Sequence, residues 1–509
     1  MFFSLKNYVF LYNSLNYKLI EINMNFKDLP LTEIIEKIKS GETDKQTVWD
    51  YFRKRIEKYD NKIKSYNFIN KTGLSESNNY STLAWIPIAI KDIFCEKWIP
   101  TTSASKMLEN FKPPYNATVI ERLQEAGMSS LGKVNMDEFA MGSTSATSAL
   151  NKTLNPWGTN RIPWGSSGWS AAAVAAWLAP AALWTDTGWS IRQPASVCGV
   201  VWFKPSYGRN SRFWVNAMAS SLDTPGTLTK TVKDAALLYE IMNWEDPKEN
   251  TSITWKDIIN PKIWESKDLK GTRVWVPKQY FEKGLDIWVK EVVEKAIEDI
   301  KNAWAEIVEV DLPMTKYAIA TYYILMPAEV STNLSRLDWI RYGLNSDKPY
   351  SSMDELFMNN RAEWFWDEVK RRIILWSYVL SAWYYDAYYT KAAKVRTLII
   401  EDFKKAFEKC DVIIWPVSPS VAWELWEKEN DPLKMYLSDS YTIPASLAWL
   451  PWISVPAGFA KSEDWKNEEL PVWLHMITAQ FEEQKLLEFA NFYENLTQHW
   501  KKIPKWFED

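Results

Sequence analysis

The stretch from Trp164 to Pro194, WGSSGWSAAAVAAWLAPAALWTDTGWSIRQP, constrains this chain most. A Gly-Ser-Ser-Gly turn opens it, an alanine-rich run follows, and a second serine stands near its end in Gly-Trp-Ser-Ile-Arg. Ser170 to Leu178 reads as a helix and Ala181 to Thr185 as a strand. Ser166 and Ser190 thus sit in two small-residue turns. Such turns can gather a hydroxyl and several backbone N–H groups around one reacting carbon. Trp164, Trp169 and Trp189 occupy positions where these turns should be smallest.

That conflict extends along the chain, which holds 31 Trp and only 16 Gly. An average share of ~7% would give a chain of this length roughly 36 glycines. Counting tryptophans together with glycines removes the shortfall. Trp recurs at turn-like places, as in Leu450-Pro451-Trp452 and Thr187-Gly188-Trp189-Ser190, where an indole blocks the close backbone approach that glycine allows. The pattern predicts that many of these residues are glycines in the cell, encoded by UGA and rendered as Trp by a standard translation table. Trp157, in Asn-Pro-Trp-Gly, is expected to be a true tryptophan. The competing reading is a Trp-rich binding protein, but the residues fall at turns and not in a surface stripe.

Composition narrows the function. The chain has 509 residues, 47% hydrophobic and 24% charged, with a formal net charge of −4. It reads as a soluble globular protein with a large core. Length alone suggests about three domains. An acidic chain is a poor primary grip for a phosphate backbone, so a nucleic acid would be held mainly by another protein of an assembly. Cys95, Cys198 and Cys410 are far apart and give neither a disulfide framework nor a zinc spacing, which fits a reducing cytoplasm. No apolar run is long enough to span a membrane. Residues 1–24 read as an N-terminal extension, untranslated or disordered, with Met24 as an alternative start. The two histidines limit triad and metal chemistry. His475 lies in an apolar strand-like run, and His499 is expected in solvent.

The pattern elsewhere is layered. Helical periodicity runs through 30–60, and Ala84 to Ile90 is an apolar strand delivering Lys91 at its end. A helix at 117–126 precedes a strand through 130–134, then the polar loop Asn135 to Ser148. Helices at 232–242 and 287–303 alternate with strands at 272–277 and 305–311, which argues for an α/β sheet. Residues 315–408 are almost wholly helical and read as an insertion into one domain spanning 25–509. Strands return at 411–416, 452–457 and 472–478, and a helix at 482–495 closes the chain.

Lys91, Ser166 and Ser190 form the candidate chemistry. A serine hydroxyl needs a base, and with histidine scarce a lysine at a buried strand end is the best alternative. Its reference pKa of ~10.4 must fall by about 3 units, which desolvation can supply. Backbone N–H groups from Thr187 to Trp189 could hold an oxyanion. Singly, each residue has an ordinary reading as a surface lysine or a turn serine, and the Gly-Ser-Ser-Gly turn alone would also suit a phosphate.

With glycine read for Trp, the segment resembles the amidase signature, and the resemblance runs from about residue 30 to the end. It implies an α/β fold with a central mixed sheet covered by helices on both faces. It implies Ser190 as acylated nucleophile, Ser166 behind a cis peptide as proton relay and Lys91 as general base. It also implies an oxyanion hole from the amides of Thr187, Gly188, Trp189 and Ser190. Within the family the chain is similar to the A subunits of tRNA-dependent glutamyl/aspartyl amidotransferases, through NMDEFAMGS (135–143), FKPSYGRNSRF (203–213), DEVKRRIILW (367–376), YYDAYYTKAAKVRTLI (384–399) and YTIPASLAWLPWISVPAG (441–458). That likeness implies glutamine as substrate, gripped by Arg372 and Asp439 with Tyr323 lining the pocket. It implies that this chain itself carries no cofactor, with ATP and Mg2+ held by the partner B subunit. The implied assembly is a heterotrimer with the B and C subunits, and the aminoacyl-tRNA is bound mainly through the former. A stand-alone amidase for another amide is the alternative.

Overall fold

The computed structural model of the chain describes residues 4–5, 8–10, 19–21, 25–71, 81–142, 145, 147–188, 196–255, 258–260, 267–281, 284–381, 385–424, 439–461 and 468–507. Ser4–Leu5 (β1), Tyr8–Phe10 (β2) and Leu19–Glu21 (β3) pair antiparallel in a small separate sheet.

The architecture is set by an eleven-stranded mixed sheet. Its strands are Tyr66–Ile69 (β4), Pro87–Lys91 (β5), Ser129–Val134 (β6), Ala182–Asp186 (β7), Val201–Lys204 (β8), Thr224–Thr229 (β9), Arg273–Trp275 (β10), Glu306–Val308 (β11), Val412–Pro416 (β12), Trp452–Lys461 (β13) and Glu469–Ile477 (β14). Their order is β11-β10-β12-β14-β13-β8-β9-β7-β5-β6-β4. β5 runs parallel to both β6 and β7, whereas β7, β9, β8, β13 and β14 meet as antiparallel neighbours. Every residue of β5, β6, β7, β8, β9 and β12 is buried, so helices must cover both faces of the central sheet. β8 and β9 were not expected. β8 is only four residues long, and β9, TPGTLT, carries Pro and Gly, which weaken any strand pattern.

The covering helices include Leu31–Ser40 (α1), Lys45–Ile63 (α2), Thr118–Glu125 (α3), Gly168–Ala175 (α4), Val232–Met242 (α5) and Ile287–Asn302 (α6). α4 is wholly buried, and its alanines let it lie close against β5 and β7. Between β11 and β12 run Ala318–Leu334 (α7), Met353–Trp364 (α8), Asp367–Val379 (α9) and Lys391–Phe407 (α10). Ile443–Leu447 (α11) and Glu483–Thr497 (α12) complete the set.

Trp85, Trp98, Trp164, Trp177, Trp214, Trp304, Trp339 and Trp449 have left-handed backbones, with φ from 55° to 74°. Each such position costs an L side chain roughly 1–2 kcal/mol, and glycine nothing. The buried indole N–H groups of Trp164, Trp169, Trp177, Trp184, Trp202 and Trp473 find no hydrogen-bond acceptor among the described residues. Trp157 differs. Its backbone is not left-handed, and its Nε1 donates to the Cys198 carbonyl at 2.8 Å.

Candidate active site

Parallel β5 and β7 lie side by side within the sheet, and the turn before α4 meets the end of β5 through Ser166 and Ser167. Lys91 is the last residue of β5 and is fully buried. Its Nζ donates to Ser167 Oγ at 2.7 Å, Ser166 Oγ at 3.1 Å and Thr185 Oγ1 at 3.4 Å. Burial pulls this ammonium down to about 7, against the opposing pull of Asp137, Asp186 and Asp223. An amine in that range loses its proton at neutral pH and can accept one from a hydroxyl.

The peptide bond between Gly165 and Ser166 is cis. A Cβ on Gly165 would stand 1.9 Å from Asp137 Oδ2 and 2.8 Å from Ser145 N, so only glycine fits. The Asp137 N–H donates to the Ser166 carbonyl at 3.3 Å. Its carboxylate accepts from Thr147 Oγ1 (2.6 Å), Thr147 N (3.0 Å) and Ser145 N (3.4 Å). Burial nevertheless raises the Asp137 carboxyl above its ordinary value. Ser145 Oγ donates to the carbonyl of Trp164, which completes the frame of the serine turn.

Thr187 and Gly188 follow β7 directly. Thr187 Oγ1 donates to Asp223 Oδ1 at 2.6 Å, and Asp223 Oδ2 also accepts from Met218 N at 2.8 Å and Ala219 N at 3.0 Å. Burial pushes the Asp223 carboxyl up to about 6. A Cβ on Gly188 would lie 2.6 Å from the Tyr322 ring, so α7 packs directly on this turn. Trp189 and Ser190 lie outside the described residues.

The residues expected to grip a substrate come together on the same side. Tyr323 on α7 donates its hydroxyl to Asp439 Oδ2 at 3.0 Å. Burial drives the Tyr323 hydroxyl well above its ordinary value, Asp439 adds to that, and Arg372 opposes it. Arg372 on α9 is buried, and its Nε donates to Glu368 Oε1 at 2.8 Å. Burial also raises the neighbouring Tyr322 hydroxyl, which feels Arg372 and Asp439 as well as Asp186 and Asp223. Tyr322 therefore links this trio to the turn at Gly188. A cavity of about 360 Å³, lined by Thr185, Asp223, Arg212 and Asn333, reaches the site from the α7 end.

Ser167, Thr185, Asp137, Asp223 and Tyr322 were not foreseen. Asp137 had a signal, the polar NMDEF loop; Tyr322 had none, because a helical Tyr reads as core. His475 is buried on β14 between the rings of Trp415 and Trp452. His499, expected in solvent, is instead partly buried against Phe459 because the terminal turn folds back. Among the described residues no cluster of His, Cys, Asp or Glu could hold a metal, and no helix is long and apolar enough to cross a membrane.

The amidase family model matches residues 47–487, and the chain belongs to the amidase family. Within it, the chain is 44% identical over 484 residues to the glutamyl-tRNA(Gln) amidotransferase A subunit of Nitrosococcus oceani, covering 93% of this chain and 98% of that protein. Identity to the A subunit from Halothermothrix orenii, which bears the same name, is 45% over 487 residues, covering 95% and 100%. Among solved structures, the glutamyl-tRNA(Gln) amidotransferase A subunit of Thermotoga maritima superposes with a TM-score of 0.78 at 36% identity, covering 93% and 96%. The peptide amidase of Stenotrophomonas maltophilia gives 0.77 at 25% identity, covering 95% and 99%.

Proposed function

We propose that this chain is the glutamine-hydrolysing A subunit of a tRNA-dependent amidotransferase, working with the B and C subunits. The near full-length match to A-subunit proteins at 44–45% identity carries this reading. A stand-alone amidase is less well supported, since the peptide amidase reaches only 25%. Ammonia released here passes to the B subunit, where ATP and Mg2+ serve to activate the misacylated glutamyl- or aspartyl-tRNA. The setting is the cytoplasm.

In this reading Ser190 attacks the side-chain amide carbon of glutamine. Its proton passes through Ser166 to the neutral amine of Lys91. The oxyanion rests on the amides of Thr187, Gly188, residue 189 and Ser190, an arrangement worth about 10²–10³ in rate per donor. Collapse breaks the C–N bond, and the proton returns through Ser166 to the departing ammonia. Water then cleaves the ester to give glutamate. Arg372 holds the substrate carboxylate and Asp439 its amino group, since a zwitterion wants one cation and one anion; Tyr323 lines the pocket. The 3.1 Å contact between Lys91 and Ser166 supports the relay.

The same reading takes Trp164, Trp169, Trp184 and Trp189 as glycines in the cell. An indole at 189 would fill the oxyanion position, and the left-handed φ of 57° at Trp164 suits glycine. The test is ammonia release from glutamine by the chain assembled with its B and C subunits. Ser190→Ala is expected to lower it by about 10³-fold or more. Retained activity would remove Ser190 as nucleophile.

A further inference from the structure

We propose that Glu138 is a positioning residue for the substrate grip, because it ties the start of α9 to the turn that holds the catalytic serine loop. The proposal rests on the reading of Arg372 as a glutamine ligand. Asp137 and Glu138 are consecutive and both fully buried. Buried carboxylates persist only when hydrogen-bonded. Asp137 turns toward Gly165 and Ser166, as described. Glu138 turns the other way: its Oε1 accepts from Ser105 Oγ at 2.5 Å and its Oε2 from the backbone N–H of Trp366 at 2.8 Å.

Trp366 is the residue whose carbonyl accepts the first helical bond of α9, from Lys370 N at 3.1 Å. The N–H groups at a helix start have no partner inside the helix, so this contact fixes where α9 begins. That first turn carries Glu368, whose Oε1 accepts from Arg372 Nε at 2.8 Å. The chain of contacts therefore runs from Glu138 to Trp366, through the first turn to Glu368, and on to the Arg372 guanidinium. Two more features pin the turn itself. The Phe139 ring meets Phe365 edge-on at 5.9 Å. Phe139 and Ala140 both have left-handed φ, 49° and 61°, a conformation that non-glycine residues keep only where their surroundings hold it. One turn thus links the Ser166 turn to the cation that holds the substrate's far end.

The test compares Glu138→Gln with Glu138→Asp in the full chain, assayed with its partner subunits. Gln keeps an acceptor within reach of the Trp366 N–H, whereas Asp is one methylene too short. E138D is expected to raise KM for glutamine about tenfold with kcat within twofold, and E138Q to stay near wild type. A primary amide without the α-carboxylate should be cleaved equally by both. Amide hydrogen exchange over 366–372 gives a readout that needs no substrate, and E138D should exchange faster there than E138Q. Unchanged exchange in E138D, or a loss confined to kcat, overturns the proposal. Faster exchange in E138D combined with an Arg372→Ala variant of unaltered KM would leave the anchor standing and defeat the reading of Arg372 instead.

Discussion

α3 and α4 end with the same backbone turn but with a different residue at its left-handed position. After α3 the chain reads Ala126-Gly127-Met128; after α4 it reads Ala176-Trp177-Leu178. In both, the alanine is the last right-handed residue and the next turns left-handed, with φ of 89° at Gly127 and 55° at Trp177. Gly127 N donates to Gln124 O at 3.0 Å and Met128 N to Leu123 O at 2.8 Å; Trp177 N donates to Val174 O at 3.1 Å and Leu178 N to Ala173 O at 2.8 Å. This is the helix stop that glycine usually makes. α6 and α11 repeat it with Ala303-Trp304-Ala305 and Ala448-Trp449-Leu450. The backbone asks for one residue at all four places, and the letters supply another at three. Read as glycine, the three tryptophans would make all four stops the same, so the mismatch lies in the residue and not in the backbone.

The largest expected effect is on catalysis. Protein made with an indole at 189 should hydrolyse glutamine at least about 10²-fold more slowly than protein with glycine there. Equal rates would break the comparison where it matters most. Next comes the site that α4 covers. With the Lys91 amine near 7, the rate should fall about tenfold per pH unit below that value, as the proton occupies the base. A flat profile from about pH 5.5 to 8 would exclude Lys91 as the base. Stability effects are smaller. Trp304 is 74% exposed, so Trp304→Gly in protein carrying the indole leaves no cavity and should stabilise by about 1 kcal/mol in a denaturant titration. Gly127→Ala should destabilise by roughly 1–3 kcal/mol, because its Cβ would stand 2.0 Å from Ser81 Oγ. The least perturbing measurement leaves the protein unmutated. Its tryptic peptide 162–192 should carry glycine masses at 164, 169, 177, 184 and 189, while peptide 153–161 keeps Trp157. Indoles throughout the longer peptide would end the glycine reading.

Much of the fold was legible, for reasons that vary with the element. The helix 232–242 and the strands ending at Lys91 and Asp186 announce themselves by periodicity or by unbroken apolar runs. β8 and β9 do not, because the sheet forms them from short or Pro- and Gly-bearing segments whose order comes from their neighbours. At the site, Lys91 and Ser166 could be picked out as chemistry-bearing residues near small turns. Tyr323, Arg372 and Asp439 could not. They lie on elements far apart in sequence, and only the family resemblance named them. Tyr322 escaped both routes because its place against Gly188 depends on how α7 crosses the strand end.

The burial of Lys91 has a thermodynamic side. Lys230 is likewise pulled to about 7 by burial. Both amines are largely neutral in the native chain above that pH, whereas in the unfolded chain they keep their protons up to ~10.4. Unfolding between those limits takes up a proton at each lysine, so each adds about 1.4 kcal/mol of stability per pH unit as pH rises through that window. The same poise that the proposed mechanism asks of Lys91 thus makes folding a proton-releasing step, and a titration calorimeter following unfolding near about pH 8.5 should register the uptake of protons from the buffer.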